Sequence, residues 1–364
     1  MDRMFEAGRI LISVAAILIC IASCESEPAP REGGTESCDD CVAFRATGLV
    51  QFSAAPTLPS LDGLLLLVPD GGHAFVDRSV RHEILVFDRD GRYRTSVGAP
   101  GDGPGEFDRI WSLAFDSADT LWVASHGGSR LDLFGPDLEF ARSLRTEVSV
   151  QAMASVPRGM AVAAANGLEG QVGIVGPDGG IEVLWQDSVP RGSGFPAGVT
   201  DLASSPDGTI WFAEDYAYRV WRIDQGEAPI LVLGTTPAWF DAEYPSDVVE
   251  RFNINDLGST ITDLFVDSQA GVLWVTSAVP ASDVTTGELE PLFDDPQTFR
   301  DEIMVALLDY VVEAYDLASE ERIGVGRGAA NVSYRSPVHY RLGGPETMEI
   351  VTPIVQPERA PEVN

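Results

Sequence analysis

The stretch Leu113-Ala-Phe-Asp-Ser-Ala-Asp-Thr-Leu-Trp-Val-Ala124 decides the fold, because the chain repeats its pattern twice. The later copies are Leu202-Ala-Ser-Ser-Pro-Asp-Gly-Thr-Ile-Trp-Phe-Ala213 and Leu264-Phe-Val-Asp-Ser-Gln-Ala-Gly-Val-Leu-Trp-Val-Thr276. Each copy is two short apolar segments around a polar turn that contains Asp or Gly, which is a strong signal for a β-hairpin. The second segment of each copy carries a tryptophan: Trp122, Trp211 and Trp274.

Further strand-like segments follow these hairpins. Val220-Trp-Arg-Ile-Asp224 is typical of a third strand, and Phe140-Ala-Arg-Ser-Leu144 and Ile230-Leu-Val-Leu233 are typical of a fourth. Fainter hairpins occur at Asp70–Val76 and Arg158–Ala163. Units of four antiparallel strands that recur about every 40 to 50 residues are the signature of propeller blades.

Five blades are visible, and a sixth is predicted from the two ends of the chain. It would combine Tyr310–Asp316 and the C-terminal strands with Thr47–Phe52, so that no sheet edge is left open in the ring. We therefore predict an all-β fold, a six-bladed β-propeller of four-stranded antiparallel blades over residues 43–356 with a tail at 357–364. A β-sandwich and a seven-bladed ring are the alternatives.

One blade resembles a known family. Val86-Phe-Asp-Arg-Asp-Gly-Arg-Tyr-Arg-Thr-Ser-Val-Gly98, running into Gly101-Asp-Gly-Pro-Gly-Glu-Phe107, is similar to the NHL-repeat-like six-bladed propellers of secreted bacterial proteins. The resemblance extends loosely from Ala43 to Val355 and is strongest over Gly72–Leu233. It implies an exported propeller. Residues Val279–Leu308 depart from the pattern and read as a helix or loop.

The N-terminus predicts export and lipid anchoring. Residues 1–23 include fourteen uncharged residues, Ile10–Ser23, a length that suits a signal peptide better than a membrane span. The segment ends in Ile21-Ala-Ser-Cys24, which looks like the lipobox of bacterial lipoproteins and implies acylation (palmitate) of Cys24. A plain membrane helix or a simple secretory signal is the alternative. Glu25 favours the outer membrane of the cell envelope, by analogy with lipoprotein sorting.

Residues 24–42 are acidic and rich in Pro and Gly, so we expect a disordered, flexible tether between the membrane and the propeller. Cys38 and Cys41 lie within it as a C-x-x-C pair, for which an exported protein favours a disulfide. A redox or metal role is less favoured, since Asp39 and Asp40 should raise the thiol pKa and no second ligand pair accompanies the cysteines.

The charge of the chain excludes one class of function. All 24 basic residues are Arg, and against 56 acidic residues the formal charge is 24 − 56 = −32. Such a field repels phosphates, so we expect no nucleic-acid partner. The acidity is ordinarily a means of solubility.

Few residues point to chemistry. Asp116, Asp201, Asp263 and Asp267 lie near predicted strand ends, and an oxygen-ligand set of that kind would suit Ca²⁺ in the central channel. The same aspartates are turn and capping residues that hairpins prefer, and the sequence favours that interpretation. We predict no cofactor and no catalytic residue, because no G-x-S-x-G elbow or paired His motif is present in the sequence.

An inserted loop supplies the candidate binding surface. Trp239, Phe240 and Tyr244 lie between two blades and would form an aromatic patch if they are exposed. We expect a binding or scaffold module for a protein, peptide or glycan of the envelope. The alternative is a metal-centred propeller hydrolase or lyase in the periplasm, an idea that rests on fold analogy alone.

Overall fold

A computed structural model describes residues 42–53, 64–76, 82–166, 169–186, 199–214, 217–240, 259–280, 308–328, 332–333, 339–344 and 347–355. These residues form six four-stranded sheets, and every pair of neighbouring strands is antiparallel. The prediction of an all-β propeller with four-stranded blades is confirmed.

Each blade is a meander whose strands are named here from the first to the fourth. Blade one is β2 (Leu64–Leu67), β3 (His73–Val76), β4 (Ile84–Phe87) and β5 (Tyr93–Val97). Blade two is β6 (Ile110–Phe115), β7 (Leu121–Ser125), β8 (Arg130–Phe134) and β9 (Phe140–Arg145). Blade three is β10 (Ser149–Val156), β11 (Gly159–Asn166), β12 (Glu169–Val175) and β13 (Ile181–Gln186).

The remaining blades follow the same order. Blade four is β14 (Val199–Ser204), β15 (Ile210–Glu214), β16 (Val220–Ile223) and β17 (Ile230–Leu233). Blade five is β18 (Thr260–Asp267), β19 (Val272–Pro280), β20 (Leu308–Asp316) and β21 (Arg322–Gly328). Blade six is β22 (Val332–Ser333), β23 (His339–Gly344), β24 (Thr347–Val355) and β1 (Val42–Gln51).

First strands of successive blades lie side by side, β2 with β6, β6 with β10, β10 with β14 and β14 with β18. The blades therefore surround a common axis with their first strands innermost and their fourth strands at the rim. The core lies between adjacent sheets. Trp122, Trp211 and Trp274 are 7%, 4% and 4% exposed, so these repeated tryptophans are core residues.

The N-terminal strand closes the ring, as predicted. β1 is the outermost strand of blade six and pairs with β24 from Val42 opposite Val355 to Gln51 opposite Thr347. Just after it, the Ser53 amide donates to the carbonyl of Gly91 in blade one at 3.0 Å. Gly91 has φ +80°, and a Cβ there would lie 2.3 Å from the Gln51 carbonyl oxygen, so only glycine fits.

Blades two and three meet in the same way. Gly179, in the turn between the third and fourth strands of blade three, has φ +89°, and a Cβ there would lie 2.4 Å from the carbonyl oxygen of Arg145 at the end of β9. The junction between blades six and one thus repeats a contact made inside the ring.

One assignment from sequence is wrong. Tyr310–Asp316 was predicted for blade six, whereas it belongs to β20, the third strand of blade five, and pairs with β19. The connection between β19 and β20 runs over residues 281–307, much longer than a hairpin turn. With this insertion, blade five extends over residues 260–328, which is longer than the repeat of about 40 to 50 residues, so the pattern assigned the second half of blade five to blade six.

The two ends of the sheets carry different connections. Because the strands alternate in direction, the turns after first and third strands lie at one end, which we call the turn end. The connections after second and fourth strands lie at the other, which we call the loop end. Turn-end connections such as 116–120 and 205–209 are tight. Loop-end connections include 98–109, 187–198, 234–259 and 281–307.

Candidate functional site

The four aspartates proposed as metal ligands divide into two structural types. Asp116 and Asp267 are turn residues. Asp116 Oδ1 accepts from the amides of Ala118 and Thr120 at 2.8 and 2.9 Å, and Asp267 Oδ1 accepts from the amides of Gln269 and Ala270 at 3.0 Å each. Both lie at the turn end, in the capping role that the sequence favoured.

Asp201 and Asp263 occupy equivalent places in the first strands of blades four and five, each directly after a β-bulge. Asp201 Oδ2 accepts from the Leu264 amide at 2.7 Å and so ties blade four to blade five. Asp263 is 4% exposed. Both residues take part in interactions within the protein. Within the described part of the chain, no group of three or more His, Cys, Asp or Glu side chains could hold a metal ion.

The proposed aromatic patch is largely part of the core. Phe240 is 4% exposed, and Trp239 is half-buried. Their rings pack edge-on against Tyr218, with centroids at 5.2 Å for Phe240 and 5.8 Å for Trp239. Phe240 therefore contributes to packing between blades four and five rather than to an open surface. Tyr244 lies outside the described residues.

The predicted signal segment, Cys24, Cys38 and Cys41 also lie outside the described residues, which begin at Val42. No helix among the described residues is long and apolar enough to cross a bilayer.

At the loop end, one histidine lies between two carboxylates. His126 Nε2 is 3.2 Å from Asp102 Oδ1, and His126 Nδ1 is 3.3 Å from Asp108 Oδ1. The backbone amide of His126 also donates to Asp108 Oδ1 at 2.8 Å. Ser125 Oγ is 3.1 Å from His126 Nδ1. We call Asp102, Asp108, Ser125 and His126 the His126 cluster.

The turn that presents His126 has an uncommon backbone. His126 has φ +54°, and the next two residues, Gly127 and Gly128, have φ +67° and +82°. Non-glycine residues adopt this left-handed region rarely, with His among the enriched types. The turn is fixed from both sides: the Ser129 hydroxyl donates to the His126 carbonyl at 2.7 Å, and the Val150 amide donates to the Gly128 carbonyl at 3.0 Å.

Arg130 fixes the loop that carries the two carboxylates. Its guanidinium donates to the carbonyl of Asp102 at 2.9 Å and to that of Glu106. Its Nε donates to Asp132 Oδ2 at 2.9 Å, and Asp132 is completely buried. Residues 101–107 are the Gly-rich element on which the family resemblance rests, so this element is a loop held rigidly against blade two.

The His126 cluster is suited to binding rather than to nucleophilic attack. Ser125 is 0% exposed, so its hydroxyl cannot reach a substrate carbonyl despite its contact with the imidazole. The Asp102 and Asp108 side chains are 91% and 45% exposed, and that of His126 is 24% exposed. Two accessible carboxylates beside an imidazole offer hydrogen-bond acceptors and negative charge to a ligand that carries amino, guanidinium or hydroxyl groups.

A second polar group is buried between blades four and five. Tyr218 donates from its hydroxyl to Glu313 Oε2, and the Tyr218 and Tyr315 hydroxyl oxygens lie 2.5 Å apart. Arg322 Nη1 donates to Glu313 Oε1 at 3.1 Å. Burial raises the pKa of Glu313, and burial together with the Glu313 charge raises the pKa of both tyrosines. Since Tyr218 also supports Trp239 and Phe240, this network fixes the start of the 234–259 connection.

No paired His motif in the sequence marks this cluster. The His126 cluster draws on two connections and a strand end, which no linear motif joins. The available signal was Asp108 directly after the Gly-rich element and His126-Gly-Gly directly after a strand.

Comparisons with known proteins agree with this architecture. Residues 66–160, less than a third of the chain, match the family DUF5128, described as a 6-bladed beta-propeller. No curated protein sequence matches the chain.

Solved structures share the fold at low identity. A member of the duf4221 family from Bacteroides vulgatus is 10% identical with a TM-score of 0.58, covering 88% of this chain and 100% of its own. A Bacteroides fragilis protein described as exported is 10% identical with a TM-score of 0.51, covering 87% of this chain and 96% of its own. At these identities the likeness shows the fold alone, and the chain is a β-propeller of four-stranded antiparallel blades.

Proposed function

We propose that this protein is an exported, lipid-anchored propeller that binds a protein, peptide or glycan of the cell envelope at the loop end of its sheets. One observation carries the proposal: the longest intervals between consecutive strands begin and end at one end of the sheets, while the described turns at the other end are tight and capped by their own side chains. Binding residues are concentrated on loops that a rigid scaffold positions, and long loops in compact domains are usually functional.

The His126 cluster supplies a prearranged part of that surface. Its loop is held by Arg130 and its turn by backbone and hydroxyl hydrogen bonds, so little conformational entropy is lost when a ligand contacts Asp102 and Asp108. The carboxylates favour a ligand with cationic or hydroxyl groups. A net charge of −32 would attract a basic partner from a distance.

The test replaces these carboxylates without changing shape. Asp102→Asn with Asp108→Asn should weaken binding of an envelope partner captured by the wild-type chain at least tenfold, as measured by titration with that partner. The matched control is Asp90→Asn with Glu139→Gln, an equal loss of charge at exposed turn-end positions, which should leave affinity within about twofold. Equal weakening by both pairs would reduce the effect to net charge and contradict a loop-end site.

Export and anchoring form the second part of the proposal. They are supported by the signal-like residues 1–23, the lipobox-like Ile21–Cys24 and the exported description of one structural neighbour. We expect mass spectrometry of the mature protein to find an acylated Cys24 as the first residue. Cys24→Ser should release the protein into the soluble envelope fraction. An unmodified Cys24 in a membrane-bound chain would contradict the anchor and leave the loop-end site unaffected.

A further inference from the structure

The outermost strand of blade four differs from every other described rim strand. β17 reads Ile-Leu-Val-Leu, whereas the other five fourth strands each contain at least one Arg or Glu. Charged side chains are a common means of preventing unwanted pairing at a sheet edge. β17 follows β16 as the last strand of its sheet, so its other edge has no neighbouring strand within the blade.

Two of the four side chains of β17 are also exposed. Ile230 and Leu231 are each 42% exposed, and they are two of only four exposed large hydrophobic residues in the described part of the chain. Leu231 lies directly opposite Trp221 in β16, so both side chains are on the sheet face that meets Trp185 of blade three. Ile230 lies opposite Arg222 and points to the other face. A strand added here would find apolar contacts on both faces.

The charge around β17 indicates which kind of partner would bind at its edge. Glu227 is exposed three residues before the strand, and β17 itself has no charge to offset it. The whole chain carries −32, so a second copy would be repelled, and a four-residue edge is far smaller than the interface of a stable dimer. A partner strand with an apolar core and flanking basic residues would be attracted by the negative charge and would contact the apolar side chains of β17.

We propose that the exposed edge of β17 is a β-addition site, which takes an extended apolar segment of a partner protein flanked by basic residues. Main-chain hydrogen bonds to the edge would supply affinity, and the alternating contacts at Leu231 and Ile230 would supply selectivity. This surface is at the rim of blade four and is independent of the proposed loop-end site.

The test uses a defined strand peptide, acetyl-Arg-Thr-Val-Ile-Val-Thr-Arg-amide, with the mature chain in detergent. We expect saturable binding by fluorescence anisotropy and slowed hydrogen exchange of the amides of residues 230–233. Replacing both arginines of the peptide by glutamate should weaken binding at least tenfold, and a central proline should abolish it. Absence of binding, equal binding of the acidic peptide, or protection elsewhere would overturn the proposal.

Two variants complete the experiment. Leu231→Lys places a charge on the edge and should weaken the peptide at least tenfold, whereas Val183→Lys, on the rim strand of blade three and 47% exposed, should change binding less than twofold. Equal loss in both would overturn the assignment to β17. Sedimentation as a dimer that Leu231→Lys abolishes would show that a second copy occupies the edge, and this too would overturn it.

Discussion

Burial of the Glu313 carboxyl costs the folded chain free energy. Glu313 is completely buried, and two tyrosine hydroxyls and Arg322 surround it. Burial raises its pKa above the ordinary value of 4.5, so the folded chain holds a proton on Glu313 more tightly than the unfolded chain does. This contribution to stability is complete below pH 4.5 and is lost as the pH rises through the folded-state pKa.

Glu313→Gln removes that titration and keeps the shape and an acceptor for Tyr218. Relative to wild type, the variant should therefore gain free energy of unfolding as the pH is raised from 4 to 8, because the wild type loses the contribution of its protonated carboxyl and the variant has no such proton to lose. Denaturant titrations across this range measure the difference. Glu321→Gln, at an exposed position nearby, is the control and should run parallel to wild type. If the difference in free energy of unfolding between Glu313→Gln and wild type does not change with pH, this would contradict the raised pKa.

The three repeated tryptophans differ in whether the indole N–H has a hydrogen-bond partner. Trp122 Nε1 donates to Asp116 Oδ2 at 2.9 Å, while the Nε1 atoms of Trp211 and Trp274 have no hydrogen-bond partner. Blade four has Ser205 at the place of Asp116, in a turn with the same backbone hydrogen bonds. Asp116 thus both caps its turn and accepts a hydrogen bond from the buried indole of Trp122.

Asp116→Ser should give blade two the arrangement of blade four and lower the free energy of unfolding by about 1 to 3 kcal/mol, because an indole N–H is left unpaired. Asp137→Ser is the matched control. Asp137 caps an exposed turn through the Glu139 amide at 3.1 Å, and we expect a loss of less than about 1 kcal/mol. Equal losses in the two variants would mean that the contact with Trp122 contributes nothing measurable.

At the level of elements, Arg130 links strand β8 to the Gly-rich loop. Removing it alone leaves the buried Asp132 carboxylate without its cation, whereas an apolar pair at both positions avoids that charge. Blade one shows that an apolar side chain is compatible with the fold at the place of Asp132, since Leu85 occupies that place in β4 and is 2% exposed.

We therefore expect Arg130→Met to lower the free energy of unfolding by about 3 to 5 kcal/mol, and Asp132→Leu added to it to restore most of that loss. The double variant should still lose the hydrogen bonds to the carbonyls of Asp102 and Glu106. Hydrogen exchange of residues 101–107 should be faster than in wild type even where stability has recovered. Unchanged exchange in the double variant would show that Arg130 does not order the loop.

Elements with a turn signature could be predicted from sequence, and elements that depend on distant pairing could not. The hairpins around Trp122, Trp211 and Trp274 were found because Asp and Gly turns recur at a fixed spacing. β20 was placed in the wrong blade because 281–307 interrupts that spacing. Phe240 gave no sign of burial, because its cover is Tyr218 from another connection, and the His126 cluster was missed for the same reason.

At the level of the molecule, stability depends on closure between blade six and blade one. Phe52 is 1% exposed and packs edge-on against Phe87, with ring centroids at 4.8 Å, and against His73. Removing β1 would expose that aromatic contact together with the outer edge of β24.

A chain that starts at residue 54 should therefore fail to give a monomeric, cooperatively melting protein, whereas a chain that starts at residue 41 should keep the melting temperature of the mature protein. Size-exclusion chromatography and thermal unfolding compare the two. Phe52→Ala, in the chain that starts at residue 41, should cost about 3 to 5 kcal/mol. A stable monomer without β1 would show that the ring does not require the shared blade.

The shared blade also imposes an order in time. Residues 42–51 are synthesised near the beginning, and their partner strand at 347–355 is synthesised near the end. At about 5 to 20 residues per second, β1 waits roughly 15 to 60 s for β24. During that interval both edges of the apolar strand β1 are unpaired, so it can pair with a strand of another chain. The contact between β1 and β24 therefore completes the ring last, and the yield of folded protein in cells depends on whether β1 stays unpaired until then.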